Sequence, residues 1–189
     1  NYDIAFLRCI PNIILMSPSD ENETRALLCS AFHYSGPAAV RYPRGSGPNA
    51  KVNLDLKPIE IGKANLIKKG DPKVIFLNFG ALLHEAKLVA DELNLTLIDM
   101  RFIKPLDEEI LRTFLTSADL FISLEDGSIA GGAGSAVQEF CSKENIYIKS
   151  KLFGIPDNFV EHASREEMIE ECGLTSKQIL AELETMMER

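Results

Sequence analysis

The sequence predicts an α/β protein in which a mostly parallel sheet carries helices on both faces. Short apolar runs alternate with stretches whose apolar residues recur at helical spacing, and glycine or proline separates the two kinds of segment. Parallel strands need long crossover connections, so strands that alternate with helices favour a parallel sheet. The chain is also apolar enough to bury a core, because 46% of its residues are hydrophobic and 25% are charged.

The first fifty residues predict one helix between two strands. This unit is too small to be a domain, because its single helix covers only part of one sheet face. We therefore expect residues 1–50 to be the edge of a larger domain, and the start without Met suggests a cut chain. The predicted elements are a strand at 13–16, an acid-rich helix start at 17–23, a helix to residue 33 and a strand at 38–42.

The rest of the chain predicts a linker at 51–61 and a second domain at 62–189. From residue 73 onward, strands and helices alternate regularly. The predicted elements are strands at 64–68, 74–79, 95–100, 120–124 and 146–149, helices at 82–93, after Asp107 and at 135–143, and two final helices that follow a capping box at 164–167 and are separated by Gly173.

The charge distribution excludes two classes of partner. Residues 1–50 hold four Arg, four acids and no Lys, so the net charge of −8 lies in residues 51–189. An acidic chain of this kind repels nucleic acid and anionic membranes, and we expect neither as a partner. The sequence has no signal peptide and no apolar run of membrane-spanning length, which predicts a cytoplasmic protein.

The cysteines and histidines do not form a recognisable metal site. The four Cys are far apart without a C-x-x-C pair, and the three His are equally scattered. We expect the thiols to be reduced and mostly buried, and we assign no metal ligand. No Ser–His–Asp, paired-carboxylate or P-loop arrangement is present either, so the sequence offers no candidate catalytic residue.

A glycine-rich stretch at 127–134 follows a strand and precedes a helix, where a dinucleotide would bind. Gly132 and Gly134 supply a G-x-G, but Val137 occupies the third glycine position. Glu125 and Asp126 at its start would repel a pyrophosphate. A packing or interface loop is therefore favoured over a nucleotide site.

Arg44 is the candidate ligand-binding residue. Pro43 ends the preceding strand, so Arg44 lies just beyond a strand's carboxyl end, where open α/β sheets bind ligands. A guanidinium at that place offers a rigid fork for a phosphate. A surface or interdomain ion pair is the alternative, and the residue pattern leaves both open. The charges of residues 99–107 are expected to form structural pairs.

Several stretches together resemble one family. In order and spacing, the chain is similar to the C-terminal part of the 1-deoxy-D-xylulose-5-phosphate synthase family, which are thiamine-diphosphate enzymes of the transketolase superfamily. The stretches are YDIAFLRCIP at 2–11, SPSDENE at 17–23, AVRYPRG at 39–45, LNFG at 77–80, DMRFIKPLD at 99–107, ED at 125–126, GGAGS at 131–135 and GIPD at 154–157.

The resemblance implies that thiamine diphosphate and Mg²⁺ serve the full-length enzyme, which condenses pyruvate with glyceraldehyde 3-phosphate and releases CO₂. Residues 1–50 would be the tail of a pyrimidine-binding domain, and 62–189 a transketolase C-terminal domain. Arg44 matches the family arginine that holds the phosphate of the aldehyde. No cofactor-binding motif carries over, so we expect this fragment alone to bind no cofactor and to be inactive. The resemblance further implies a homodimer.

Two alternatives remain open from the sequence. The chain could be part of a transketolase or of a thiamine-dependent dehydrogenase β subunit, which share the superfamily. It could also be a non-catalytic interaction module that presents the loop at 127–134 to a partner, although the apolar run at 13–16 would then leave an exposed sheet edge.

Overall fold

A computed structural model describes residues 1–187 of the chain. The strands are β1 (Ile14–Met16), β2 (Ala38–Val40), β3 (Asn65–Lys68), β4 (Asp71–Phe79), β5 (Leu95–Asp99), β6 (Phe102–Lys104), β7 (Leu120–Ser128) and β8 (Lys149–Ile155). The helices are α1 (Asp3–Leu7), α2 (Glu21–His33), α3 (Leu83–Glu92), α4 (Glu108–Leu115), α5 (Ala133–Lys143), α6 (Arg165–Glu171) and α7 (Ser176–Met187).

The larger part of the molecule is a five-stranded sheet in the order β3-β5-β4-β7-β8. Four of these strands are parallel, and only β3 runs antiparallel to its neighbour β5. Helices α4 and α5 pack on one face, and α3 and α7 pack on the other. The central strand β4 is buried on both sides, because Ile75 and Leu77 face the first pair of helices while Phe76 faces the second. The predicted mostly parallel α/β architecture is confirmed.

A second, three-stranded sheet has the order β2-β1-β6. Strands β1 and β2 are parallel, and β6 pairs antiparallel with β1 so that Phe102 lies opposite Met16. Because β6 lies between β5 and α4 in the chain, the larger part supplies the third strand of the smaller sheet. Leu27 of α2 and Ile14 complete a small core around Met16 and Phe102.

The predicted helix starts have the expected caps. Asp20 accepts a hydrogen bond from the Glu23 amide at 2.8 Å, and Asp107 accepts one from Ile110 at 3.1 Å. Ser164 and Glu167 form the predicted capping box at the start of α6. Each cap satisfies an amide that the first helical turn leaves without a partner.

Three local predictions were incomplete or wrong. Helix α1 and strand β6 were not predicted, because five and three residues are too few for a periodic pattern. The strand predicted at 146–149 is wrong, since β8 begins at Lys149 and ends at Ile155. Gly154 weakens the strand pattern of residues 149–155. The structure nevertheless requires a glycine at this position, because a Cβ would lie 2.8 Å from the Gly127 carbonyl oxygen.

Among the described residues, no helix combines the length and the apolar character that a membrane crossing needs.

Candidate functional site

Arg44 lies in an irregular turn that follows β2. Strand β2 ends at Val40, two residues earlier than predicted, and Arg44 comes after Pro43 at the carboxyl end of that strand. The Arg44 side chain is exposed, and within residues 1–187 it makes no hydrogen bond or ion pair. Within the described residues, Arg44 therefore does not form the ion pair that was its alternative role.

Arg41, three residues before Arg44, has the opposite environment. Its Nε donates to Asp3 Oδ2 at 2.8 Å, its Nη1 is paired with the Asp126 carboxylate, and its Nη2 donates to the Asp126 carbonyl at 2.7 Å. The Arg41 side chain is only 12% exposed. The sequence did not predict this pairing of Arg41. Its partners lie far away in the chain, and no local pattern marks them.

A second arginine fastens the glycine-rich loop to the first fifty residues. Arg8 Nη1 donates to the Gly131 carbonyl at 2.8 Å and to the Gly132 carbonyl at 3.1 Å. Arg8 Nη2 also pairs with Glu139 on α5 at 2.6 Å. Arg8 therefore holds the end of the segment that joins β7 to α5, while Arg41 holds β7 itself at Asp126.

Glu125 occupies the N-terminus of α5 from within the protein. Its carboxylate accepts hydrogen bonds from the Ala133 amide at 2.8 Å and the Gly134 amide at 2.9 Å. A Cβ at Gly132 would lie 2.5 Å from this carboxylate, so the close approach requires glycine. Burial raises the pKa of Glu125 to about 7, although the two amides favour its charged form. The loop thus packs around an internal acid at the place where a phosphate would bind, which supports the packing role predicted for it.

The charged residues of 99–107 have structural partners, as predicted. Asp99 is buried and accepts from Asn78 Nδ2 at 3.0 Å; burial raises its pKa to about 6. Arg101 Nη2 pairs with Glu23 at 2.6 Å. Lys104 Nζ donates to the carbonyls of Arg8 and Ile10 at 2.8 and 2.6 Å. Asp107 caps α4 and also accepts from the Ala64 amide at 2.9 Å.

A cleft of about 910 Å³ separates the turn that carries Arg44 from the larger part of the molecule. Tyr42, Pro43 and Gly45 line the cleft, whereas Arg44 itself does not. The opposite wall consists of the start of α3 and residues of α6, among them His84 and Arg165. The turn therefore has open space between itself and the residues of α3 and α6.

The cysteines are all free, as predicted, but only Cys141 is buried. Cys29 and Cys172 are half-buried and Cys9 is exposed, so the prediction of mostly buried thiols was wrong. Across residues 1–187, no three His, Cys, Asp or Glu side chains come together in a group that could hold a metal ion.

Two family models match the chain. Residues 62–179 match the family described as transketolase, C-terminal domain, and residues 1–49 match the family described as transketolase, pyrimidine binding domain. The first match covers more than half of the chain.

Curated relatives match over nearly the whole chain. A protein named 1-deoxy-D-xylulose-5-phosphate synthase from Stutzerimonas stutzeri (strain A1501) is 52% identical over 174 residues, which are 92% of this chain and 27% of the relative. The protein of the same name from Pseudomonas fluorescens (strain Pf0-1) is 50% identical over 189 residues, which are 100% of this chain and 30% of the relative. The chain therefore spans less than a third of the length of these relatives.

Two solved structures share the fold. A chain of a split gene transketolase, solved as an inactive beta4 tetramer, has a TM-score of 0.85 and 29% identity, with 97% of this chain and 60% of that chain covered. The transketolase of Campylobacter jejuni subsp. jejuni has a TM-score of 0.68 and 17% identity, with 97% of this chain and 28% of that chain covered.

Proposed function

Because the chain belongs to the transketolase C-terminal domain family, we propose that it is the C-terminal part of a 1-deoxy-D-xylulose-5-phosphate synthase. The complete enzyme would condense pyruvate with glyceraldehyde 3-phosphate and release CO₂. The observation that carries this proposal is the identity of about one half, across essentially the whole chain, to relatives of that name. The two solved transketolases are less similar, at 29% and 17% identity, which favours the synthase over a transketolase.

The proposal divides the chain into three parts. Residues 1–50 would end the pyrimidine-binding domain, residues 51–61 would be a linker, and residues 62–189 would form the C-terminal domain. Strand β6 supports a close association of the first and third parts, because it completes the sheet of the first part although it belongs to the third.

The N-terminus of α5 does not fit the diphosphate of thiamine diphosphate. The Glu125 carboxylate fills the N-terminus of α5, the position after a strand where a diphosphate would otherwise bind. Within residues 1–187, no three His, Cys, Asp or Glu side chains form a group that could hold a metal ion. The cofactor would therefore be bound by other polypeptide, and the chain alone would be inactive. The split gene transketolase, of which this chain covers 60% and which was solved as an inactive tetramer, agrees with this view. A homodimer and a cytoplasmic location stay predictions.

Arg44 is the proposed contact to the phosphate of glyceraldehyde 3-phosphate. Two observations support this role: the guanidinium is exposed beyond the carboxyl end of β2, and it has no protein partner within residues 1–187. All its donors are thus available to a phosphate, which arginine binds with two parallel hydrogen bonds.

Replacing Arg44 in the complete enzyme tests the proposal. Arg44→Ala is expected to raise KM for glyceraldehyde 3-phosphate by about 10- to 100-fold, since a hydrogen bond to a charged group contributes about 1.5–3 kcal/mol. KM for pyruvate should stay nearly constant. Arg44→Lys should recover part of the loss, because a lysine keeps the charge but lacks the fork.

Lys51→Ala is the matched control, because Lys51 is an exposed cation a few residues downstream whose side chain makes no hydrogen bond in the described part of the chain. It should change neither KM. An equal loss for both substrates in Arg44→Ala would remove Arg44 from the assigned role. A complete enzyme that does not turn over pyruvate with glyceraldehyde 3-phosphate would overturn the proposed reaction itself.

A further inference from the structure

We propose that Asp126 of strand β7 is a positioning residue for Arg44 and acts on it through Arg41. This inference rests on the proposed substrate contact of Arg44. Asp126 belongs to the five-stranded sheet, so the larger part of the molecule would shape the phosphate site without touching the substrate.

Asp126 holds Arg41 at two points. The Asp126 carboxylate pairs with Arg41 Nη1, and the Asp126 carbonyl accepts from Nη2 at 2.7 Å. Asp3 of α1 binds the remaining Nε at 2.8 Å. All three guanidinium nitrogens of Arg41 therefore donate hydrogen bonds, and this leaves the side chain little freedom to rotate.

The pairing is screened from water, which makes it stronger than a surface ion pair. The Arg41 and Asp126 side chains are 12% and 13% exposed. Burial favours the neutral form of Asp3, yet the charge of Arg41 holds the pKa of Asp3 below its ordinary value. Arg41 is thus charged and fully partnered, in contrast to the open guanidinium of Arg44.

Arg41 is also the last anchored residue before the turn that carries Arg44. Its amide donates to the Met16 carbonyl at 2.8 Å, which extends the pairing of β1 and β2 by one residue. The next anchor is on the far side of the turn, where Glu21 accepts from the amides of Asn49 and Ala50 at 2.8 and 3.1 Å. Between these anchors, residues 42–48 make no hydrogen bond to any described residue.

The position of Arg44 therefore depends on where Arg41 is held. Tyr42 and Pro43 separate the two residues, and the ring of Pro43 fixes one backbone angle of this short connection. Movement at Arg41 is consequently transmitted to Arg44. Loss of the Asp126 charge weakens the only hydrogen bonds that Arg41 makes to the five-stranded part within residues 1–187.

Asp126→Asn in the complete enzyme tests the inference through substrate selectivity. KM for glyceraldehyde 3-phosphate should rise by about tenfold, in keeping with the cost of small displacements in a binding site, while KM for pyruvate stays unchanged. In an Arg44→Ala background the same substitution should have no further effect, because Asp126 acts through Arg44. Asp3→Asn should give a smaller change in the same direction, and it serves as the second variant if Asp126→Asn fails to fold.

Asp119→Asn is the control, because Asp119 precedes β7, is 74% exposed and lies 3.5 Å from Lys73 without contacting Arg41. Selective loss in Asp126→Asn that disappears in the Arg44→Ala background supports the inference. If Arg44→Ala is selective but Asp126→Asn resembles Asp119→Asn, affects both substrates, or adds fully to Arg44→Ala, the inference is wrong and the role of Arg44 stands. If Arg44→Ala is itself unselective, both fail.

Discussion

The two sheets of the molecule are stabilised in different ways. The five-stranded sheet is covered on both faces by apolar clusters to which its own helices α3, α4, α5 and α7 contribute most of the helical residues. The three-stranded sheet has a core of only four buried residues among those described, and one of them, Phe102, comes from the larger part. Its helix α2 leaves Phe32 87% exposed. The smaller region therefore depends for its structure on contacts from outside itself.

Those contacts are apolar and charged: Ile4 and Leu15 of the smaller region pack into the cluster that lies under α4 and α5, and several charged side chains cross the boundary as well. Arg8 reaches from the smaller region to the loop before α5, and Arg41 reaches to Asp126 of β7. Arg101 and Lys104 reach in the opposite direction. Buried ion pairs are more sensitive to the loss of one partner than to substitution of both, because the remaining charge stays desolvated. We therefore expect the two regions to respond differently to mutation, and three experiments compare them.

The largest change in stability is expected in the core of the five-stranded sheet. Phe76→Ala should lower the free energy of unfolding by about 3–5 kcal/mol, because it removes a large side chain from a close-packed core and leaves a cavity. Phe76 is 0% exposed and lies on the central strand β4. Urea denaturation followed by circular dichroism measures the loss.

Phe32→Ala provides the contrast within the smaller region. Phe32 has the same side chain but is almost fully exposed, so the unfolding free energy should change by less than about 0.5 kcal/mol. Similar losses for the two variants would mean that the division between a self-sufficient core and a dependent region is wrong.

A smaller and more local effect is expected at the boundary between the regions. Arg101→Ala leaves Glu23 without its partner in a site where both side chains are 17% exposed. We expect a loss of about 3 kcal/mol, because an unpaired buried charge is costly. The loss should appear as faster amide hydrogen exchange in β1 and β2, with β4 exchanging as slowly as before.

Arg112→Ala controls for the removal of an arginine. Arg112 pairs with Glu108 and Glu144 on the surface of the larger region, and its side chain is 46% exposed. Solvent screens these pairs, so exchange in β1 and β2 should not change. Faster exchange in β4 after Arg101→Ala would instead indicate that the two regions unfold as one unit.

The difference between the two sheets also explains which features the sequence could predict. The five-stranded part has long apolar runs at regular spacing, and its order of strands and helices followed from that local pattern. Strand β6 was missed because its pairing with β1 joins residues far apart in the chain, and nothing within residues 102–104 signals the partner. The exposed position of Arg44 followed from Pro43 and the end of a strand. The ion pair between Arg41 and Asp126 was not predicted, because pairing between residues so far apart in the chain produces no periodic sequence pattern.

The smallest effect concerns Glu125, which lies beside the boundary and links stability to pH. Burial raises the pKa of its folded form to about 7 from an ordinary value of 4.5. Between these two pH values the folded protein binds more protons than the unfolded chain, so the unfolding free energy decreases as the pH rises through that window. The contribution of this one carboxyl is about 2 kcal/mol, since each unit of pKa difference corresponds to about 1.4 kcal/mol and local relaxation reduces the full value.

Glu125→Gln should flatten this part of the pH dependence, because an amide side chain does not titrate. The variant should be less stable than the original near pH 4.5, where the protonated acid can still accept from both amides while glutamine turns its NH₂ group toward one of them. Unfolding free energies from denaturant titrations at several pH values between about 4 and 8 provide the comparison. Glu161→Gln removes an exposed carboxyl and should keep the original slope. If the pH dependence of the unfolding free energy is unchanged in Glu125→Gln, water reaches Glu125. The contacts around Arg41 would then not exclude water from the boundary between the two sheets.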